Sequence, residues 1–503
     1  MAARLLSSVS LTDVVLLLSS VWIAVHLVLA AYNVYLHPLR RYPGPKLAAA
    51  SQLLNVYHVL KGDNCKWTAQ LHEKYGTVVR IGPNELSYIS PSANQTIFGG
   101  RPKEDKVFEK NPVAYLQGNG DISNIFFARF HDHNRLRKLM APAFSETAVR
   151  EQEATIQGYT NQLIAALRNR SGQAAYPDAK GVVNIIPWLH FILFDVLTRL
   201  SFGDPIGCLD RADYHPWVSV IFKAIIHSTY TQAAHRLAPY QWILKHFIPN
   251  DMTANYEAHL EFTRKQLDQR QQVKEEPVAR ADFSSFMLKG MSPDELFDNV
   301  NIVITAGGET TASTISSSLY YLVHNPSSYE RLTKEIRDTF SAEGEITLAA
   351  VAALPYLKAV IQEAMRIHPP VPIGLFRVAP AAGAFIDGQW VPGNTWVSVA
   401  NLAASRSPTY WRDPERFTPE RWLGDAKYES DVREASAPFS IGTRNCIGLN
   451  LANANMRIIL ARLLWNFDFE AQPDNIDPHE LDEYGIWETK PLNLKIKERV
   501  QTT

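Results

Sequence analysis

The stretch that decides the fold is Phe439-Ser440-Ile441-Gly442-Thr443-Arg444-Asn445-Cys446-Ile447-Gly448. It places one cysteine between two glycines, and glycine permits the backbone conformations of a tight loop. A cysteine that serves as a permanent metal ligand must stay a thiolate, which backbone N–H groups aimed at sulfur stabilise. A helix is predicted over 450–464, directly after the loop, and its N-terminal dipole favours the same negative charge. The segment therefore predicts that Cys446 is a thiolate ligand.

The other positions of this loop suit a flat, anionic ligand. Gly442 and Gly448 allow close approach of the backbone, Arg444 can reach an anionic group at the edge of the ligand, and Phe439 can shield the sulfur from water. At every fixed position the segment matches F-x-x-G-x-R-x-C-x-G, and in this it resembles the haem-binding signature of the cytochrome P-450 family. The resemblance implies haem b as the cofactor, with Cys446 as the axial ligand of its iron.

Composition sets broad limits on the function. The 503 residues include 50 basic and 51 acidic side chains, for a net charge of −1. No long basic stretch stands out, so no nucleic-acid partner is expected. The three cysteines, Cys65, Cys208 and Cys446, are too few for a disulfide framework and lack the spacing of a zinc site. We expect Cys65 and Cys208 to be free thiols in a reducing, cytosol-facing compartment.

The N-terminal region predicts a membrane anchor. Val14 to Tyr32 is a run of 19 residues without a charge, close to the ~20 needed to cross a bilayer. It is long for the core of a signal peptide, and Arg40, Arg41 and Lys46 follow it, which places the catalytic domain on the cytosolic side. We expect an anchor over 1–36, a stiff proline-rich hinge over 37–46 and a haem-thiolate domain over 47–503.

Hydrophobic periodicity predicts a mostly helical body with a minor β part. Two strands, 78–81 and 86–89, are expected to form a hairpin, and a second pair is expected late in the chain, with Asp387-Gly388 as its turn and 395–399 as its return strand. Long helices are predicted over 146–168, 185–202, 256–274 and 354–367, and a solvated loop over 274–282. The family resemblance implies a mainly α fold with a smaller β-rich region and with the haem between a long central helix and the cysteine loop.

That central helix is predicted to start at the capping box Ser292-Pro293-Asp294-Glu295 and to end at Asn325-Pro326. It contains Ala306-Gly307-Gly308-Glu309-Thr310-Thr311, in which each glycine costs roughly 1 kcal/mol relative to alanine. Two interpretations account for the glycines. The helix opens locally to admit a small ligand beside a proton relay, or the glycines serve a helix crossing and the threonine bonds back to its own helix.

The block resembles the oxygen-binding helix of the family, which favours the first interpretation. The resemblance implies that Thr310 hydrogen-bonds dioxygen and that Glu309 helps to deliver protons.

Two further elements resemble the family. Glu363 and Arg366 match its E-x-x-R element on a helix that we expect to be buried. The third member of that structural triad is assigned to Arg421, at the expected distance before Cys446, although the letters P-E-R-F occur earlier, around Arg416. The helix around His133 and Arg137 resembles W-x-x-x-R, with histidine in place of tryptophan. Expected partners of the haem propionates are His133, Arg137, Arg377 and Arg444.

The resemblance implies insertion of one oxygen atom from O₂ into a C–H bond or an alkene. Electrons would come from NADPH through a separate cytochrome P-450 reductase, because no Rossmann fingerprint occurs here. Cytochrome b5 is a second candidate partner, and Arg135 and Lys138 are candidates for the docking surface. The hinge, the Glu-Thr-Thr block and Gly485 to Lys490 resemble fungal microsomal members of secondary metabolism, which implies a single-pass protein of the endoplasmic reticulum membrane.

The predicted pocket positions indicate the substrate class, because they are mostly apolar. These positions are 115–127, 301–306, 371–376 and Ile486-Trp487. A hydrophobic polyketide, terpenoid or alkaloid suits them, and a fatty-acid or xenobiotic hydroxylase is an alternative. Two other classes stay open: a reductase-independent haem-thiolate isomerase or dehydratase, which would typically lack the Glu309-Thr310 pair, and a non-enzymatic haem sensor, which would have no use for it.

Overall fold

The computed structural model describes residues 10–100, 106–115, 124–171, 181–240, 242, 261–268, 283, 287 and 290–499. Within these ranges the chain is mainly helical, with two small sheets and a hairpin. The fold class expected from the sequence is confirmed.

The N-terminal apolar run forms helix α1, Leu11–Tyr35. Ser10 caps it, and Asp13 completes a capping box. Its 25 residues give a length of about 38 Å, sufficient for the ~30 Å hydrocarbon layer of a bilayer. None of its residues is buried. A second helix of similar apolarity, Ile185–Phe202, lies instead in the protein core.

The predicted hinge packs against the sheet. A 3₁₀ turn covers Pro38–Arg41, and the carbonyl of Pro43 accepts a 2.7 Å hydrogen bond from the Arg80 N–H. Gly44 lies so close to this strand that a Cβ would stand 2.3 Å from the Arg80 carbonyl oxygen. The Arg80 guanidinium also donates to the carbonyl of Asn33, at 2.9 Å. The end of α1 is therefore tied to the folded domain.

The strands are β1 (Val78–Gly82), β2 (Glu85–Tyr88), β3 (Glu109–Lys110), β4 (Val182–Asn184), β5 (Arg377–Val378), β6 (Ala384–Ile386), β7 (Gln389–Val391), β8 (Trp396–Val399), β9 (Phe467–Ala471) and β10 (Asn493–Glu498). The larger sheet has five strands in the order β1-β2-β8-β5-β3, and the smaller sheet has three in the order β4-β10-β9.

The predicted hairpin β1–β2 is confirmed, and β8 pairs parallel to β2 and antiparallel to β5. The late hairpin prediction was wrong in its return strand. The turn at Asp387-Gly388 joins β6 to β7, and β8 belongs to the larger sheet.

The helices surround one large apolar core. After α1 they are α2 (Lys46–Ala50), α3 (Leu53–Lys61), α4 (Asn64–Tyr75), α5 (Pro91–Phe98), α6 (Phe130–Met140), α7 (Glu146–Glu151), α8 (Glu153–Ser171), α9 (Ile185–Phe202), α10 (Cys208–Arg211), α11 (Pro216–Arg236), α12 (Pro293–Val323), α13 (Pro326–Thr339), α14 (Leu348–Ala352), α15 (Pro355–Ile367), α16 (Asn401–Arg406) and α17 (Leu449–Asn466).

Most of the predicted helices are confirmed, with changes at their ends. The segment 146–168 is not one helix, because the chain divides at Gln152 into α7 and α8. Helix α9 has the predicted bounds. Of 256–274, residues 261–268 are described and helical, and the rest lies outside the described residues, as does the whole of the loop predicted over 274–282. Cys65 and Cys208 are buried free thiols, as expected.

Helix α12 is the central element of the core. Its capping box forms as predicted, with Ser292 accepting from the Glu295 N–H at 3.2 Å. The helix runs for 31 residues and crosses α9 at the two glycines. A Cβ on Gly308 would stand 2.7 Å from the ring of Phe194, and one on Gly307 would stand 3.1 Å from Leu197.

Candidate active site

The cysteine loop and helix α12 face each other across a cavity of about 300 Å³. Thr310 is on the α12 wall and Cys446 is on the opposite wall. Six of the other site residues predicted from the sequence also line the cavity, namely Phe439, Arg444, Gly448, Arg137, His133 and Arg377, as does Val371, the first residue of a predicted pocket segment. Gly442 and Glu309 are not among its lining residues.

Cys446 is held by the turn that precedes it. Its N–H donates to the carbonyl of Phe439 at 2.8 Å, and the Asn445 N–H donates to the carbonyl of Gly442 at 3.2 Å. Burial raises the pKa of the Cys446 thiol, while the Gly448 N–H and Arg137 act in the opposite direction. A bound metal cation deprotonates a coordinating thiol outright. The site therefore suits a sulfur that becomes a thiolate when it binds a metal.

The two glycines of the loop have different roles. Gly442 has φ +74°, and a Cβ on it would lie 1.9 Å from the carbonyl oxygen of Phe98 at the end of α5. Glycine is required there by the packing of the loop on α5 and by its left-handed backbone, and not by approach to a ligand. At Gly448 a Cβ would lie 3.9 Å from the Cys446 sulfur, an ordinary contact.

Basic side chains cluster at one edge of the cavity. Arg377 is buried, and its Nη1 has no hydrogen-bond partner among the described residues. Burial, together with the nearby Arg377, lowers the pKa of Arg444 to about 10. Arg137 donates to the carbonyl of Asn445 at 2.6 Å, which ties α6 to the cysteine loop. Buried cations are stable only with anionic partners, and here Glu109, 3.4 Å from Arg444, forms the one such ion pair in the described part of the cluster.

His133 and Lys110 complete this cationic edge. Burial and the charges of Arg444, Arg137 and Lys110 lower the pKa of His133 to about 3, so its ring is neutral at pH 7. Its Nδ1 has no hydrogen-bond partner in the described ranges. Lys110 was missed from the sequence. It lines the cavity because β3 pairs it with Arg377 on β5, a long-range register without a sequence signal; burial lowers its pKa well below the usual value.

The residues present fit a haem. A sulfur ligand faces the cavity from one wall, and the side chains of Arg137, Arg377 and Arg444 line the edge where two propionates would lie. Of these, Arg377 has a buried Nη1 without a hydrogen-bond partner in the described part of the chain. The remaining lining is largely apolar, as a porphyrin face requires.

Glu309 and Thr310 lie on different faces of helix α12. The Thr310 hydroxyl donates to the carbonyl of Ala306 at 2.7 Å, and α12 is continuous through both glycines. The prediction of a locally opened helix is therefore wrong for this structure, and the crossing with a back-bonded threonine describes it. Glu309 is buried on the other face, with Oε2 2.7 Å from His190 Nε2 and Oε1 3.3 Å from the Thr489 hydroxyl.

The triad residues meet in a fully buried cluster. Arg366 donates to both oxygens of Glu363, at 2.9 and 2.8 Å, and Arg421 Nε donates to one of them at 3.0 Å. Trp422 and the Thr418 N–H complete the shell of that carboxylate, each at 2.9 Å. The attraction of Arg366 and Arg421 outweighs burial, so the pKa of Glu363 is lowered.

The apolar lining of the cavity includes some of the pocket positions predicted from the sequence and leaves out others. Of the segment 115–127, residues 116–123 lie outside the described residues, and Ile125 and Phe126 line the cavity. Ile486 and Trp487 do not line it. They border a second cavity behind α12, because Trp487 stacks on His368 at 4.6 Å and donates to the Pro369 carbonyl at 2.8 Å.

Comparison with known proteins agrees with this geometry. Residues 43–496 match the family model of cytochrome P450. The chain is 50% identical over 95% of its length to cytochrome P450 monooxygenase FrzC of a Cladobotryum species, of which 97% is covered. It is 38% identical to cytochrome P450 monooxygenase astA of Talaromyces wortmannii, covering 97% of this chain and 98% of that one. It is 35% identical to the averantin hydroxylase of Dothistroma septosporum, covering 93% and 88%. The chain belongs to the cytochrome P450 family of monooxygenases and is similar to fungal members of it.

Proposed function

We propose that this monooxygenase hydroxylates or epoxidises a hydrophobic small molecule of fungal secondary metabolism. The observation that carries the proposal is the cavity in which Cys446 faces Thr310 between largely apolar walls. Hydroxylation is the activity printed in the name of one relative, the averantin hydroxylase. A polyketide, terpenoid or alkaloid scaffold fits such a lining better than a charged substrate does.

Each polar residue of the cavity has a distinct task in this proposal. The chemistry that haem b supplies when bound is the reductive activation of O₂. Cys446 provides the sulfur ligand, and the Gly448 N–H helps to hold its negative charge. Arg137, Arg377, Arg444 and the neutral ring of His133 would hold the propionates, with Lys110 as an additional N–H donor.

On the opposite wall, Thr310 Oγ1 holds a proton over the cavity. Its hydroxyl donates to the Ala306 carbonyl. To donate into the cavity, the hydroxyl must rotate away from that carbonyl or form a hydrogen bond to both acceptors at once. Glu309 supplies the proton that replaces the one donated. The apolar walls orient the substrate and exclude water, which limits loss of the activated oxygen.

Electrons are proposed to come from NADPH through a separate cytochrome P450 reductase, with cytochrome b5 as a second donor. Lys138 is exposed on α6, whose other face supplies Arg137 and His133 to the cavity. Arg135, on the same helix, forms an ion pair with Glu295, so Lys138 is the better test of docking. Lys138→Glu should raise the reductase concentration needed for the half-maximal rate. Lys358→Glu, at an exposed position of α15, is the matched control.

The proposed location is the endoplasmic reticulum membrane, with the catalytic domain in the cytosol. The exposed apolar helix α1 and the basic residues after it support this orientation. The proposed domain boundaries are an anchor over 1–36, a hinge over 37–46 and a catalytic domain over 47–503. Helix α1, which ends at Tyr35, and a family match over 43–496 support this division.

Spectroscopy and turnover together test the function. The reduced, carbon-monoxide-bound protein should show the absorption of a thiolate-ligated haem, and Cys446→Ser should abolish it. Oxidised product from a panel of apolar scaffolds should require both NADPH and reductase. Product formed without reductase would overturn the proposal in favour of an isomerase or dehydratase.

A further inference from the structure

Three polar side chains form a buried line behind helix α12. Glu309 Oε2 lies 2.7 Å from Nε2 of His190 on α9, but the angles of this contact fall outside those of a hydrogen bond, so the ring must turn to align with the carboxylate. The other ring nitrogen of His190, Nδ1, is hydrogen-bonded to the Tyr214 hydroxyl at 2.7 Å. The side chains of His190 and Glu309 are each 2% exposed. The imidazole therefore lies between the carboxylate and a phenol, with a different nitrogen toward each.

The line ends at a second cavity, of about 400 Å³, which is distinct from the one that contains Cys446. His190, Tyr214 and Thr489 all border this second cavity. The segment around Tyr484 and Lys490 forms its outer wall and is partly exposed, so solvent reaches it. Glu309 thus has contacts toward solvent on one side, while Thr310, the next residue, lines the haem cavity on the other.

The group paired with Glu309 is an imidazole and not a guanidinium or ammonium group. No arginine or lysine in the described ranges forms an ion pair with Glu309. An arginine would hold the carboxylate permanently ionised, whereas imidazole can accept a proton at one nitrogen and release one from the other. The other titratable groups facing this line are Tyr214, whose pKa is raised by burial and by Glu309, and Tyr484, Glu488 and Lys490. Glu488 and Lys490 form an ion pair with each other at 2.8 Å.

We propose that His190 is a positioning residue that passes protons from the second cavity to Glu309. This inference rests on the proposed function, which gives Glu309 the task of replenishing the proton of Thr310. In one transfer the O–H bond of Tyr214 breaks and an N–H bond forms at His190 Nδ1, while the N–H bond at Nε2 breaks and an O–H bond forms at Glu309 Oε2. Solvent returns a proton to Tyr214. The imidazole is left as its Nδ1–H tautomer and regains the Nε2–H tautomer by exchanging its ring protons with water in the second cavity, which it borders. No electron moves in either step.

A purely structural role makes a different prediction. If the His190–Glu309 contact only joins α9 to α12, its loss should lower stability without changing how protons are used. His190→Gln keeps an N–H donor for Glu309 but cannot relay a proton, whereas His190→Leu removes both properties. His324→Gln is the control, because His324 is exposed near the far end of the same helix α12 and bonds only to its own turn.

The first readout needs no turnover. In infrared spectra of the full-length holoenzyme, the band of the protonated Glu309 carboxyl is identified by its loss in Glu309→Gln. In His190→Gln the rate at which this band shifts after transfer into deuterated water should fall several-fold, because an amide cannot relay a proton from the second cavity. The rate should stay unchanged in His324→Gln. An exchange rate in His190→Gln equal to that of the parent protein would overturn the proposal.

The second readout is proton use during NADPH oxidation with reductase and no added substrate. His190→Gln should release several-fold more hydrogen peroxide per NADPH than the parent protein, with a larger solvent isotope effect, and Tyr214→Phe should do so to a smaller extent. Unchanged ratios in both variants would overturn the route even if both are less stable.

The failure of the proposed function has a different signature. In that case the parent protein would show no thiolate-type carbon monoxide spectrum or no NADPH-dependent product. If the parent protein shows both, and Thr310→Ala raises peroxide release while His190→Gln does not, the route alone is refuted.

Discussion

Arg421 Nε lies 3.0 Å from Oε1 of Glu363, and both side chains are completely buried. The same arginine forms an ion pair with Asp431, and Arg366 holds the other side of the Glu363 carboxylate. Arg416 belongs to the sequence P-E-R-F, which matches the letters of the family motif, but its side chain is exposed. It contributes only its carbonyl oxygen to the network, which accepts from Arg366 at 3.2 Å. The network thus joins α15 to the segment that leads into the cysteine loop.

Removal of one partner should leave the other charges buried and uncompensated, which typically costs 3–5 kcal/mol. Arg421→Met should therefore abolish most of the folded holoprotein, as measured by haem content and by thermal unfolding. Arg416→Met removes an exposed arginine five residues earlier and should change the free energy of unfolding by no more than about 0.5 kcal/mol. Equal losses in the two variants would contradict this account of the network.

The positions that could be predicted from the sequence are those fixed by local chemistry. The cysteine loop, the capping box at Ser292 and the helix of Glu363 depend on residues close together in the chain. Lys110 escaped prediction because β3 brings it to Arg377 through pairing across more than 250 residues. The orientation of Glu309 escaped it because adjacent residues on a helix point about 100° apart, and the sequence does not say which of the two faces the cavity.

Gly442→Ala should disrupt the cysteine loop. Its φ of +74° disfavours a side chain, and the added Cβ would stand 1.9 Å from the Phe98 carbonyl oxygen, so the loop must move and with it Cys446. We expect loss of the thiolate-type carbon monoxide spectrum together with a fall in stability of several kcal/mol.

Gly424→Ala is the matched control for that substitution. Gly424 has a similar φ of +83° but has nothing within 4 Å of its virtual Cβ. The substitution should cost only the free energy of placing a Cβ in the left-handed backbone region, about 1–2 kcal/mol. It should leave the carbon monoxide spectrum intact. A normal spectrum in Gly442→Ala would show that the loop tolerates the displacement.

Arg377→Met should have opposite effects on the apoprotein and the holoprotein. In the apoprotein it removes a buried cation near Arg444 and Lys110, so thermal stability should be unchanged or higher. With haem it removes a propionate partner, so haem should dissociate faster, by about tenfold for the loss of ~1.4 kcal/mol. Haem transfer to apomyoglobin measures the second effect. Arg457→Met, a half-buried arginine on α17 outside the cavity lining, is the control for the loss of an arginine.

Thr310→Ala should uncouple NADPH use from product formation. The substitution removes the hydroxyl that lines the cavity but also its bond to the Ala306 carbonyl, so a structural effect on α12 must be separated from a chemical one. Thr310→Ser keeps the hydroxyl and should retain most of the coupling, whereas Thr310→Val keeps the shape and should resemble alanine. The measurement is product formed per NADPH oxidised, and equal coupling in the serine and valine variants would refute the role of the hydroxyl.

Stability should fall at mildly acidic pH because of a histidine far from the cavity. Burial lowers the pKa of His72 to about 4, and its ring bonds to the Gly76 carbonyl and to Ser87, each at 2.8 Å. In the unfolded chain the pKa is about 6.5, so between pH 6.5 and 4 the unfolded state binds a proton that the native state does not. The stability contributed by neutral His72 is therefore complete above pH 6.5 and is lost as the pH falls. At pH 5 the loss is about 2 kcal/mol.

Urea unfolding of the parent protein and of His72→Gln, at pH 7 and at pH 5, measures this contribution. The parent protein should lose about 2 kcal/mol more than the variant between the two pH values, even though the variant is the less stable protein at pH 7. His324→Gln is the control and should reproduce the pH dependence of the parent protein, because His324 is exposed. Parallel losses in the parent protein and in His72→Gln would mean that the native fold accepts a proton on His72 without cost.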